Sequence, residues 1–109
     1  MKCSRIKAKR QDPAITAAQK EAMERDGYQC LLPTCGATDI LDPAHVLPRR
    51  FKAERAQIHN LICLCRKCHV EHETEAGRVR LLVLLDELYE YGPFYERPPY
   101  QRYWRQRDE

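Results

Sequence analysis

The chain has 109 residues, a formal net charge of +3, and 19 Lys and Arg against 16 Asp and Glu. That length fits one small domain with a thin core, and no apolar run approaches the ~20 residues that a bilayer span needs. The charge total is too mild to specify a nucleic-acid partner by itself, so the placement of the cations carries more information.

In chain order, residues 1–13 are polar and basic, with Lys2, Arg5, Lys7, Lys9 and Arg10, and are expected to be flexible without a partner. No apolar h-region opens the chain, which points to a reducing compartment such as the cytoplasm. Thr16 caps a helix through Ala17, Ala18, Glu21, Ala22 and Met23; Gln19 completes a capping box and Gly27 stops the helix. Pro33-Thr34 turns the chain between Cys30 and Cys35, and Gly36 permits a positive φ. Ile40 to Leu47 reads as a strand that Pro43 confines to an edge or a bulge. Pro48 to Ile58 is a basic loop, with a short helical turn at Ala53 to Gln57. Asn60 to Leu64 is a second apolar strand, and Arg66 to Glu75 a helix.

Gly77 then punctuates the chain. Leu81, Leu84, Leu85, Leu88 and Tyr91 share one face of a helix over Arg78 to Tyr91. Val79, Leu82 and Val83 lie off that face, so its first turns are apolar nearly all round and need cover on two sides. The cover is either a second copy of the chain, giving a homodimer, or the chain's own core and tail. Gly92-Pro93 ends the helix, and Phe94 to Trp104 is aromatic, proline-rich and interleaved with arginines.

The six cysteines are unevenly placed. Cys3 stands alone at the start. Cys65-x-x-Cys68 is the turn that aims two thiolates at one ion, and Cys30 with Cys35 supplies the second pair of a tetrahedral zinc site. Cys63, two residues before Cys65, reads as a small buried hydrophobe. A zinc knuckle closed this way brings His45, Asn60 and His69 together. The bland alternative is a set of free buried thiols and a histidine filling a strand edge.

At these residues the chain resembles an HNH endonuclease, including the small stand-alone members that phages and prophages carry. Arg25-Asp26-Gly27-Tyr28-Gln29-Cys30 is similar to the entry into the first knuckle, and His45-Val46-Leu47-Pro48-Arg49 to the first-histidine segment. Asn60-Leu61 through Leu64-Cys65 and Cys68-His69 is similar to the closing segment. The resemblance covers Arg25 to Glu73, so an HNH core over residues 25–76 is expected inside one domain. It implies an α+β fold, a small ββα-metal (His-Me finger) module with a four-cysteine zinc knuckle and helical extensions at both ends.

The resemblance also implies roles. His45 is the general base that activates water, with a neutral imidazole near its ordinary pKa of ~6.5. Asn60 keeps the base in place across the loop. His69 binds the single catalytic divalent ion, a cation such as Mg²⁺, Mn²⁺ or Ni²⁺. Arg49, Arg50, Lys52 and Arg55 hold the phosphates of the DNA partner. One departure stands out: Ala44 occupies the position where the family carries an Asp or His ligand. Asp42, on the same strand face, and His72, one helical turn beyond His69, are the candidate replacements. Ala44 keeps open a catalytically silent, zinc-stabilised nucleic-acid-binding module, and a small interaction protein stapled by zinc is a third possibility.

Overall fold

The computed structural model describes residues 12–108. The basic segment 1–11 and Cys3 lie outside the described residues. The protein is a small α+β domain in the order α1 (Pro13–Arg25), β1 (Leu41–His45), a 3-10 turn (Ile58–Asn60), β2 (Leu61–Cys65), α2 (Arg66–Glu71), α3 (Glu75–Tyr89), α4 (Gly92–Tyr95) and α5 (Gln101–Trp104), closed by a 3-10 turn over Arg105–Asp108. Among the described residues no helix is long and apolar enough to cross a membrane.

Helix α1 begins earlier than the Thr16 cap predicts. Asp12 is the N-cap, its Oδ1 accepting from the Ala14 N–H at 2.9 Å, and Pro13 takes the first helical position. A fixed φ and a missing N–H cost nothing there, so Asp-Pro outcompetes Thr16 as the start. Gly27 ends the helix as expected, at φ +73.

Strands β1 and β2 form one antiparallel pair, with Leu41 opposite Cys65 and His45 opposite Leu61. Ile40, at φ +54, stays outside the strand. Pro43 sits opposite Cys63 in mid-strand. A two-stranded sheet leaves each strand a free edge, which is where a proline is tolerated. Helix α2 leaves β2 without a linker and stops at Glu71, four residues short of the expected end. Thr74 cuts it off by capping α3, its Oγ1 accepting from Gly77 N–H at 3.0 Å.

Gly77 therefore lies inside the first turn of α3 and is no break. A Cβ built there would run into the His72 carbonyl oxygen, so glycine is what lets α2 and α3 approach. The far end of α3 comes at Tyr89, because Glu90 adopts a left-handed conformation at φ +60 and Gly92-Pro93 starts α4.

Leu81, Leu82, Leu84 and Leu85 of α3 are buried, packed with Val46, Leu47, Ile62 and Leu64 and with Tyr95, Tyr100, Tyr103 and Trp104. Each such side chain removed from water stabilises by roughly 1.5–3 kcal/mol. The aromatic tail is thus the second half of the core, and these leucines find their cover within the chain. Leu88 remains exposed.

Arg25 and Asp26 tie the layers together. Asp26, 3 % exposed, accepts from the Cys63 N–H at 2.9 Å and from the Tyr89 hydroxyl at 2.7 Å. Arg25 forks onto Asp26, donates to the Ile58 and Leu61 carbonyls, and lies 4.5 Å over the Tyr89 ring. A buried ion pair with its remaining hydrogen-bonding positions filled costs far less than one left open.

Alanine normally improves a helix interior over glycine by about 1 kcal/mol. Gly77→Ala is expected to do the opposite and lower stability by roughly 1–3 kcal/mol through the clash with His72, measured as a reduced urea midpoint at unchanged m-value.

Candidate functional site

The site is built around the β1–β2 pair and has two parts. At the Leu41–Cys65 end, the sulfurs of Cys30, Cys35, Cys65 and Cys68 all lie within 4.8 Å of one another. Cys35 and Cys65 Sγ are 3.8 Å apart. Thiolates held at ~2.3 Å on a tetrahedral zinc ion are spaced by about that edge length. The described cysteines are all free thiols. A set of four soft sulfur donors that already converge could hold a metal ion. Cys63 stands outside this group, fully buried, with burial pushing its thiol up to about 11.

The backbone N–H of Cys68, at the start of α2, pulls the Cys65 thiol down to about 7, whereas burial pushes Cys30 and Cys68 up. Burying several thiolates together is costly without a counter-charge, and a bound cation supplies it.

At the other end, β1 delivers His45. Its Nε2 lies 2.8 Å from the carbonyl oxygen of Arg55. A carbonyl only accepts, so Nε2 carries the proton and the neutral ring keeps its lone pair on Nδ1. Burial pushes the imidazole below its ordinary range. The Arg55 carbonyl pulls it back, while Arg49 and His69 add to the lowering. Asn60, fully buried, spans the β1–β2 connection. Its Oδ1 accepts from the Leu47 N–H at 2.8 Å, and its Nδ2 donates to the carbonyls of Leu47 and Glu54. Asn60 thus closes the loop and does not bond His45.

His69 projects from α2 beside Asp42 of β1. Its Nδ1 is 2.9 Å from Asp42 Oδ2, and its Nε2 is 3.5 Å from a carboxylate oxygen of Glu73. Arg66 grips both oxygens of Asp42, at 2.8 and 3.0 Å, and this contact holds the carboxyl below the usual carboxylate range. His72 is buried and turned to other partners. Its Nδ1 lies 2.9 Å from the Cys68 carbonyl and its Nε2 3.4 Å from Arg80. Ala44, opposite Ile62, is buried and offers no ligand atom.

His45, Asp42, His69 and Glu73 line one open groove of about 540 Å³. Of the four cations expected on the loop, Arg49 lines it. Arg50 instead stacks 4.9 Å over the Phe51 ring, Arg55 makes a 3.9 Å ion pair with Asp12, and Lys52 is exposed. Two groove arginines escaped sequence reasoning, Arg66 and Arg78. Arg66 had a signal, since it follows Cys65 directly at the start of the helix that carries His69. Arg78 had none, because only the fold brings α3 to the segment just after β1, where its Nε donates to the Val46 carbonyl at 3.0 Å. No family model, curated protein or solved structure matches the chain.

Two outcomes follow from this geometry. Freshly purified protein is expected to carry one thiolate-bound metal ion per chain by elemental analysis, and Cys68→Ser is expected to lose it with a destabilisation of several kcal/mol. The half-buried His45 and the buried His59 imidazoles both have lowered folded-state pKa values. The unfolded chain therefore binds those protons more tightly. Their contribution is complete above about pH 6.5 and is lost as pH falls through the folded values. Urea midpoints should decline below about pH 6.5, and His45→Asn should flatten part of that decline.

Proposed function

We propose that the protein is a metal-dependent DNA endonuclease of the HNH type, with β1, β2 and α2 as its ββα-metal module and zinc on Cys30, Cys35, Cys65 and Cys68. One observation carries this reading: the Arg55 carbonyl fixes the His45 tautomer in a groove shared with His69 and three arginines.

In this reading His45 Nδ1 takes the proton from the water that attacks the scissile phosphorus. Burial keeps the ring neutral near pH 7, which is the form a general base needs. Asn60 acts as a positioning residue by holding the turn from which the Arg55 carbonyl projects. Asp42 accepts from His69 Nδ1–H and so presents Nε2 as a ligand, in the carboxylate–histidine pattern of metal sites. The carboxylate facing that nitrogen is Glu73's, and His69 and Glu73 would hold a divalent ion together with water. When bound, Mg²⁺, Mn²⁺ or Ni²⁺ supplies Lewis-acid stabilisation of charge on the phosphate and the leaving oxygen. Arg49, Arg66 and Arg78 line the groove where the phosphates on either side of the cut would lie. Such contacts position the backbone and read no bases, so sequence specificity is weak.

Ala44 favours a second reading, a catalytically silent zinc-stabilised nucleic-acid-binding module. Neither Asp42, gripped by Arg66, nor His72, bonded to Cys68 and Arg80, replaces the missing ligand without giving up a partner.

Nicking of supercoiled plasmid with Mg²⁺, Mn²⁺ and Ni²⁺ separates the two. The wild-type protein is expected to cut, and His45→Ala to lose roughly 10²–10⁴-fold in rate with its zinc content unchanged. Mobility shift of DNA without cleavage under any of the three ions overturns the nuclease reading in favour of the binding module.

A further inference from the structure

The turn that holds His45 is itself held from the far side by residues the proposed chemistry does not use. Glu54 and Arg55 are adjacent. The Arg55 carbonyl accepts from His45, and the Glu54 carbonyl accepts from Asn60 Nδ2 at 3.3 Å and from the Gln57 N–H at 3.0 Å. The Glu54 side chain points the other way. One of its carboxylate oxygens lies 3.1 Å from His59 Nε2, and both side chains are largely buried.

His59 is fixed in turn by the C-terminal aromatic segment. Its ring stacks on Phe94, with centroids 4.3 Å apart and planes 9° from parallel. Tyr100 meets it edge-on at 5.5 Å, and the Tyr95 hydroxyl donates to the His59 carbonyl. A continuous line therefore runs from α4, through the His59 ring and the Glu54 carboxylate, to the peptide that carries the Arg55 carbonyl. A surface loop of this length otherwise has several backbone conformations open to it, at about 1–2 kcal/mol of lost entropy per ordered residue. The buried Glu54–His59 hydrogen bond removes part of that freedom, together with the bonds of the Glu54 carbonyl to Asn60 and Gln57.

We propose that Glu54 and His59 are positioning residues for His45: their hydrogen bond, clamped by Phe94, sets the place of the Arg55 carbonyl and so the tautomer and orientation of the catalytic imidazole. A displaced carbonyl lets His45 exchange tautomers and rotate out of line. Misplacement of a reacting group by about 1 Å can cost on the order of 100-fold in rate. The kinetic consequence rests on the nuclease reading, whereas the effect on the His45 tautomer does not.

The test uses the full zinc-loaded chain and three variants, Glu54→Ala, Glu54→Gln and His59→Phe. The glutamine keeps an acceptor for His59, and the phenylalanine keeps the stack on Phe94. Nitrogen NMR of His45 is expected to show a single Nε2–H tautomer in the wild type and in Glu54→Gln. In Glu54→Ala and His59→Phe a mixture is expected. Cleavage should fall roughly 10- to 100-fold in kcat in those two variants with KM unchanged, and recover in Glu54→Gln. A wild-type His45 tautomer in either folded, zinc-loaded disrupting variant overturns the proposal. If the wild type cuts nothing while the tautomer responds as expected, the positioning role stands and the nuclease reading falls. If Glu54→Ala fails to fold, His59→Phe decides on the same criterion.

Discussion

The candidate site depends on the register of one pair of five-residue strands. A two-stranded sheet is marginal in water without help. Here it is fixed at both ends by side chains. The converging thiols of Cys65 and Cys68 with Cys30 and Cys35 fix the end where Leu41 faces Cys65. Asn60, bonded to Leu47 and Glu54, fixes the end where His45 faces Leu61. A slip of one residue would turn His45 to the opposite face. The Asp26 carboxylate on the Cys63 N–H adds a third point of attachment in the middle. The sheet is thus both a ruler and part of the core, since every residue of β2 is buried and Ile62 and Leu64 pack against the leucines of α3.

The groove is electrostatically mixed. Arg49, Arg66 and Arg78 line it together with Asp42 and Glu73. A purely cationic groove would bind phosphate chains and leave no place for a divalent ion, while a purely acidic one would repel DNA. In the proposed nuclease the pairing of Arg66 with Asp42 divides the two roles. It keeps the carboxylate ionised beside His69 and holds a guanidinium at the rim.

Much of this was legible in the sequence because it rests on local spacing. Cys65-x-x-Cys68 is a turn by geometry, and with Cys63 read as a buried hydrophobe the closely spaced Cys30 and Cys35 supply the second pair, so their convergence could be read before folding. The strands were legible as short apolar runs, and the apolar face of α3 from its periodicity. What was missed depends on contacts distant in sequence. Gly77 looks like a break in one dimension, yet its lack of a side chain serves the approach of His72. Phe94 to Trp104 was one of two covers open for α3, and only the fold shows its rings completing the core against Leu81, Leu82 and Leu85. Arg78 reaches Val46, just past β1, from a helix more than thirty residues on. The choice between Asp42 and His72 could not be made from position, since it turns on which partners each side chain already has.

The central claim is that His45 acts through an unprotonated Nδ1, and chemical rescue tests it most directly. His45→Ala leaves a hole the size of the missing ring, and added imidazole can enter and accept the proton. Single-turnover cleavage of a DNA duplex by zinc-loaded His45→Ala should be restored by imidazole in a concentration-dependent way, with a pH dependence that follows the added base. Cleavage by His45→Ala at the wild-type rate, without imidazole, would contradict the account.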